Sequence, residues 1–161
     1  MSASYKERFR SSFSPVEDGG SRRLSENALW LLEQRYFARR YDPAVDGTRK
    51  ERTFAEFARR VARTVACAET RCLDGGDDAL QWLRRLEGNI FDDMLNRRFL
   101  FNSPCLFAAG AGQTVDPEAS EKLYGEPEEL SFEDYSTLHA TRTRGQQLFA
   151  CFVVEVPDSI D

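Results

Sequence analysis

Apolar positions recur at three- and four-residue intervals through the first hundred residues, and two denser apolar runs follow. Leu29, Leu32, Tyr36 and Phe37, with Ala28 and Leu31, make a wide helical stripe behind Leu24-Ser25-Glu26-Asn27. Ser25 is suited to cap that helix, and Glu26 to face the positive end of its dipole. Asp42-Pro43 is expected to end it, and residues 42–52 read as a polar loop with a hairpin-like turn at Asp46-Gly47. Thr53 starts a second predicted helix, in which Phe54, Phe57, Ala58, Val61 and Val65 recur at helical spacing. Arg59, Arg60 and Arg63 are placed on its opposite, solvated face. Gly75-Gly76 precedes a third helix over about 77–98, with Leu80, Leu83, Ile90, Phe91, Met94 and Leu95 on the core side and Gly88 as a candidate break.

Phe99 to Gly110 is an apolar run interrupted by Asn102-Ser103-Pro104 and closed by Ala108-Ala109-Gly110. Pro104 argues against a helix through its middle, so an extended segment with a tight polar bend is expected. Residues 111–130 read as a polar loop, and Ser131 caps a helix expected to reach Thr141, with Glu133 and Asp134 in its acidic first turn. The second apolar run, Phe149 to Val156, is stopped by Pro157 and has the pattern of a short buried strand with Cys151 in its middle. A run this apolar needs neighbours on both faces, and the sequence ahead of it offers few candidate strands. The order, helices first and β character towards the end, is that of the front of a larger α/β enzyme. The expected organisation is an arm over 1–23, a helical region over 24–98, and a segment over 99–161 that carries a loop and helix insertion at about 111–144.

Composition narrows the function classes. The 161 residues are 41% hydrophobic and 30% charged, as in an ordinary soluble domain, and no run approaches the ~20 apolar residues of a membrane span. The first residues mix Lys6, Arg8 and Arg10 with Phe9 and Phe13 and lack an apolar signal core, so a cytoplasmic setting is expected. A net charge of −5 is not the footprint of a nucleic-acid binder, and the arginine pairs, such as Arg59-Arg60 and Arg84-Arg85, are interleaved with acids and read as solvated helix faces. Cys67, Cys72, Cys105 and Cys151, with His139 as the sole histidine, match no zinc-ligand spacing, and no metal site is expected. Each cysteine taken alone is a small buried hydrophobe. Cys67 and Cys72 are placed poorly for a disulfide.

Three stretches together resemble the N-terminal part of vitamin B12-dependent, class II ribonucleotide reductase. They are Leu24-Ser25-Glu26-Asn27-Ala28-Leu29 with Glu33-Gln34-Arg35-Tyr36, Phe99 to Gly110, and Gln147 to Ile160. Their order and relative spacing follow the family over most of residues 24–161. The resemblance implies a mainly α N-terminal helical region leading into the first strands of the family's ten-stranded α/β barrel, which is incomplete in this chain. It implies reduction of ribonucleotides to 2′-deoxyribonucleotides by radical chemistry, with adenosylcobalamin as cofactor. By position, Cys151 matches one of the two thiols that reduce the ribose. Ser103 matches a substrate-binding residue near the diphosphate, and Ala150 a main-chain contact to substrate. Asp158, Ser159 and Ile160 match the start of the site where a deoxynucleotide effector selects the base.

These residue types suit the chemistry. Removing a 2′-hydroxyl as water takes two electrons and two protons, which a dithiol supplies on closing to a disulfide. Disulfide geometry tolerates little error, so a thiol fixed on a strand between Phe149 and Phe152 serves it. Ser103 at a proline-fixed bend, among small Ala108, Ala109 and Gly110, is expected to let a hydroxyl and backbone amides approach phosphate oxygens. Two features depart from the family. Cys105 stands where a Thr is usual, as an inert substitute rather than a second redox group, and the 112–144 segment is longer than in many members, as a lid or a surface insertion. The remaining active-site residues and the cobalamin surface are expected in a complementary C-terminal barrel portion, the isolated chain being inactive and the complete enzyme a homodimer. The competing reading is a non-enzymatic helical interaction module that binds a partner through its C-terminal strand.

Overall fold

The computed structural model describes residues 15–16 and 24–141. The first elements are two-residue strands, β1 (Pro15–Val16) and β2 (Leu24–Ser25), paired antiparallel. Ser25 then caps α1 (Glu26–Arg35), its hydroxyl accepting from the Ala28 amide at 3.2 Å. The helix stops at Arg35 rather than at Asp42-Pro43, because the chain enters a hairpin of β3 (Arg39–Asp42) and β4 (Gly47–Lys50). Its turn falls at the expected Asp46-Gly47, with Asp46 at φ 43° and the Ala44 amide donating to Asp42 at 3.0 Å. The register sets Arg40 opposite Arg49, an unfavourable like-charge pair. Glu56 relieves it by taking both guanidinium groups, at 3.1 and 2.5 Å, while Asp42 takes Arg49 at 2.7 Å.

Thr53 caps α2 (Phe54–Ala68), accepting from the Glu56 amide at 3.1 Å. This helix is buried nearly all round, which makes it the centre of the fold. Arg60 and Arg63 are fully buried with it, contrary to the solvated face expected for them. After a 3₁₀ turn (Glu69–Cys72), Gly75 and Gly76 adopt φ 85° and 84° and lead into α3 (Gly76–Leu95). The helix runs unbroken through Gly88 and ends before the expected Arg98, with Arg97 in the left-handed region at φ 53°.

Phe99 to Gly110 is not an extended segment. Ser103–Ala108 forms a short helix, α4, capped by Asn102, whose side chain accepts from the Cys105 amide at 3.3 Å. Pro104 sits in the first turn, where its missing N–H has no intrahelical partner to lose. The same reason explains α5 (Pro117–Tyr124), which replaces most of the expected 111–130 loop: Asp116 caps it at 2.8 Å and Pro117 is its first residue. A 3₁₀ turn (Pro127–Glu129) then leads to α6 (Phe132–Ala140). Here Ser131 and Asp134 close a reciprocal capping box, as the Ser131 signal predicts.

Two apolar clusters lie along the α2–α3 pair. Phe54, Phe57, Ala58, Val61 and Ala62 meet Ile90, Met94, Leu95, Cys105, Leu106 and Ala109 in the first. Ala66, Cys67 and Leu83 meet Leu123, Leu130, Tyr135 and Leu138 in the second. The first half of α2 thus faces the last half of α3, so the two run antiparallel. The segment over 112–141 packs against α2 as helical structure. Among the described residues no helix is long and apolar enough to cross a membrane. Over the described residues the architecture is mainly helical, with two small antiparallel pairs of strands.

Candidate functional site

Two arginines one turn apart on α2 tie the domain together. Arg60 donates through Nε to Glu51 at 2.8 Å and through Nη2 to the carbonyls of Tyr36 at 3.0 Å and Leu106 at 3.3 Å, and through Nη1 to the carbonyl of Ala109. Glu51 also accepts from the Ala38 amide at 2.8 Å and the Tyr124 hydroxyl at 2.6 Å. Arg63 grips Glu87 with two bonds, 3.0 and 2.7 Å, and donates to the carbonyls of Gly125 at 2.8 Å and Lys122. The Tyr135 hydroxyl adds a third donor to Glu87 at 2.7 Å. Each buried charge therefore has an opposite charge and further hydrogen bonds, the condition under which such pairs are tolerated. Burial first, then the adjoining carboxylate, pushes the phenols of Tyr124 and Tyr135 upward, so both stay protonated donors.

Gly110 marks the closest approach of these layers. It adopts φ 66°, and a Cβ there would lie 2.8 Å from Thr64 Oγ1 and 3.0 Å from Leu123 Cδ2. The small size of Ala109 and Gly110 therefore serves packing between α2 and α5. Cys105 lies 4% exposed in the first cluster, which fits an inert packing role. Cys67 is buried in the second, its thiol pushed up to about 12 by burial first and by Glu87 next, whereas Cys72 is exposed. Neither forms a disulfide.

Ser103 stands apart from this packed interior. It opens α4 on the surface, and its Oγ lies 3.1 Å from the Tyr36 hydroxyl. One turn on along the same face is Phe107, 50% exposed, and just before the helix are Phe99 and Leu100, 38% and 50% exposed. This is a polar pair on the rim of an exposed apolar surface. Ala150, Cys151, Asp158, Ser159 and Ile160, and the closing strand that carries them, lie outside the described residues. Among the described residues no cluster of three or more His, Cys, Asp or Glu is placed to hold a metal ion.

Glu51, Glu87, Arg60, Arg63, Tyr124 and Tyr135 are not singled out by sequence reading. A signal existed for three of them. Arg60 lies three residues from Phe57, Arg63 three from Ala66, and Glu87 four from Leu83 and three from Ile90, all within the apolar stripes rather than opposite them.

Comparison of the sequence with curated proteins finds no match. The family model described as "Ribonucleotide reductase, all-alpha domain" matches residues 22–114, more than half of the chain. That span begins beside the Leu24-Ser25-Glu26-Asn27 helix start, takes in the Arg60 clamp and ends just past Gly110, so α1 to α4 belong to the matched domain while α5 and α6 follow it. The chain belongs to the ribonucleotide reductase family, and its residues 22–114 are the all-alpha N-terminal domain of the large subunit.

Proposed function

We propose that the chain is the N-terminal segment of an adenosylcobalamin-dependent, class II ribonucleotide reductase, inactive until joined to a complementary barrel portion. The observation that carries the reading is the exposed Ser103 hydroxyl, held by Tyr36 on an apolar rim within a domain of this family. Ser103 contacts the substrate phosphates, and Ala150 touches the substrate through its main chain. Cys151 supplies one thiol of the reducing pair. The pair loses two hydrogens and closes to a disulfide while the ribose 2′-hydroxyl departs as water and the 2′-carbon gains a hydrogen. Asp158, Ser159 and Ile160 begin the site for a deoxynucleotide effector, and the complete enzyme is a cytoplasmic homodimer. Family membership favours this reading over a non-enzymatic interaction module.

Adenosylcobalamin supplies the radical when bound, but the described residues do not suit it. A groove of about 570 Å³ between β3 and α5 is lined by Arg40, Tyr41, Tyr124, Glu118 and Glu121, a mixed-charge strip unlike the broad bed a corrin ring needs. The cofactor is therefore assigned to the complementary portion.

The test is reconstitution. Reductase activity is expected only when this chain, the complementary barrel portion and adenosylcobalamin are all present. Cys151→Ser is expected to abolish turnover while the melting temperature stays unchanged. Turnover by the Cys151→Ser complex, or none by the wild-type complex with both pieces folded, would overturn the proposal.

A further inference from the structure

We infer that Tyr36 is a positioning residue for Ser103, donating its phenolic proton to Ser103 Oγ so that the serine's own proton is turned toward an anionic substrate oxygen. The inference rests on the reading of Ser103 as a phosphate contact and extends it to a residue 67 positions away in the chain.

Hydrogen counting gives the direction. Phosphate oxygens only accept, and a serine hydroxyl has one proton to give. If Ser103 spends that proton on phosphate, the 3.1 Å bond to Tyr36 requires the phenol to be the donor. The relay Tyr36 O–H to Ser103 O–H to phosphate then polarises in one sense, which strengthens each bond in turn.

The scaffold holds the relay from one point. The Tyr36 carbonyl accepts from Arg60 Nη2 at 3.0 Å, and the same guanidinium donates to Leu106 of α4 at 3.3 Å and to Ala109, its C-cap. A single buried cation thus grips both the residue that bears the phenol and the helix that bears the serine. Arg60 is itself fixed by Glu51, and Glu51 by Ala38 and Tyr124. The Tyr36 ring lies edge-on to Phe57, with centroids 6.4 Å apart and planes at 69°, which sets the direction of its hydroxyl. This resembles the supporting shell that holds a functional group within a narrow angular range.

The experiment is a double-mutant cycle in the assembled reductase, with the chain joined to its complementary portion. Tyr36→Phe keeps the ring on Phe57 and removes only the donor, so it is expected to fold with an unshifted melting temperature. It should raise KM for the ribonucleotide about three- to tenfold, with the loss in kcat/KM carried by KM. Ser103→Ala should raise KM at least as much, and Tyr36→Phe added to it should change KM by less than about twofold. Replacing Tyr36 by a fluorotyrosine, a stronger donor of similar size, should lower KM, which a merely structural role would not produce. An equal effect of Tyr36→Phe in both backgrounds, or no effect beside a clear loss in Ser103→Ala, overturns the relay. An unchanged KM in Ser103→Ala strikes down the phosphate contact itself, a different failure.

Discussion

Arg63→Met is the sharpest probe of how this domain is held together. The Arg63 side chain is fully buried, and its guanidinium makes two bonds to Glu87 and two to the carbonyls of Lys122 and Gly125. Methionine fills much of the volume but leaves the Glu87 carboxylate buried with Tyr135 as its remaining hydrogen-bond donor. Stranding one partner of a buried ion pair costs about 3–5 kcal/mol, a large share of the ~5–15 kcal/mol that stabilises a domain. At roughly 2–4 °C per kcal/mol for a chain of this size, the melting temperature is expected to fall by about 6–20 °C. The assay is thermal and urea unfolding followed by circular dichroism. Two comparisons fix the cause. Arg63→Met with Glu87→Leu removes both charges and should recover about half the loss, since only the two carbonyls and the Tyr135 hydroxyl are left without partners. Arg98→Ala breaks a pair whose side chains are 64% and 36% exposed and should shift stability by less than about 0.5 kcal/mol. A single variant that melts within about 2 °C of wild type, or a double variant no better than the single, would refute the account.

Three further outcomes follow from the geometry. Gly110→Ala should destabilise by about 1–3 kcal/mol through its left-handed backbone and the Thr64 clash, whereas Gly88→Ala, with open space around it in mid-α3, should stabilise by about 0.5–1 kcal/mol in the same unfolding assay. Under native thiol labelling read by peptide mass mapping, Cys72 should react quickly and Cys67 and Cys105 only on unfolding; rapid labelling of Cys67 at pH 8 would contradict its buried, raised thiol. Acid should unfold the domain from near pH 4.5 downward. Asp134 is lowered by the Ser131 hydroxyl and then its amide, Asp42 chiefly by the Ala44 amide, and Glu56 by Arg49 and the Arg52 amide, which outweigh its burial. These carboxyls take up protons at lower pH folded than unfolded, so their stabilisation is present above the unfolded values of 3.8 and 4.5 and is lost as pH falls through the folded ones. A denaturant midpoint that stays flat from pH 6 to pH 3 would contradict this.

What could be read from sequence was what is local. Ser25, Thr53 and Ser131 cap their helices as expected, because capping depends on a few neighbouring residues and little else. Pro104 and Pro117 read as breakers yet begin helices, since the meaning of a proline depends on where the first turn falls, which Asn102 and Asp116 decide. The β3–β4 hairpin has no alternating apolar pattern to announce it; the Arg40, Arg49, Asp42 and Glu56 charges that hold it look like solvent-facing residues. Arg60 and Arg63 mislead for the same reason: residue type says surface, and only the angular position on α2 says core. Only the family resemblance points to Ser103, and its tie to Tyr36 joins two segments that no periodicity connects.

Arg63 also bears on when the domain can fold. Its acceptors at Lys122 and Gly125, and the Tyr135 donor to its partner Glu87, all come after residue 114, where the family match ends. During synthesis α2 and α3 emerge with the Arg63–Glu87 pair still short of three of its hydrogen bonds. Packing of the second cluster therefore waits for α5 and α6. The autonomous unit is longer than the matched span, and a chain cut at residue 114 would be left as an aggregation-prone intermediate with its central helix half covered.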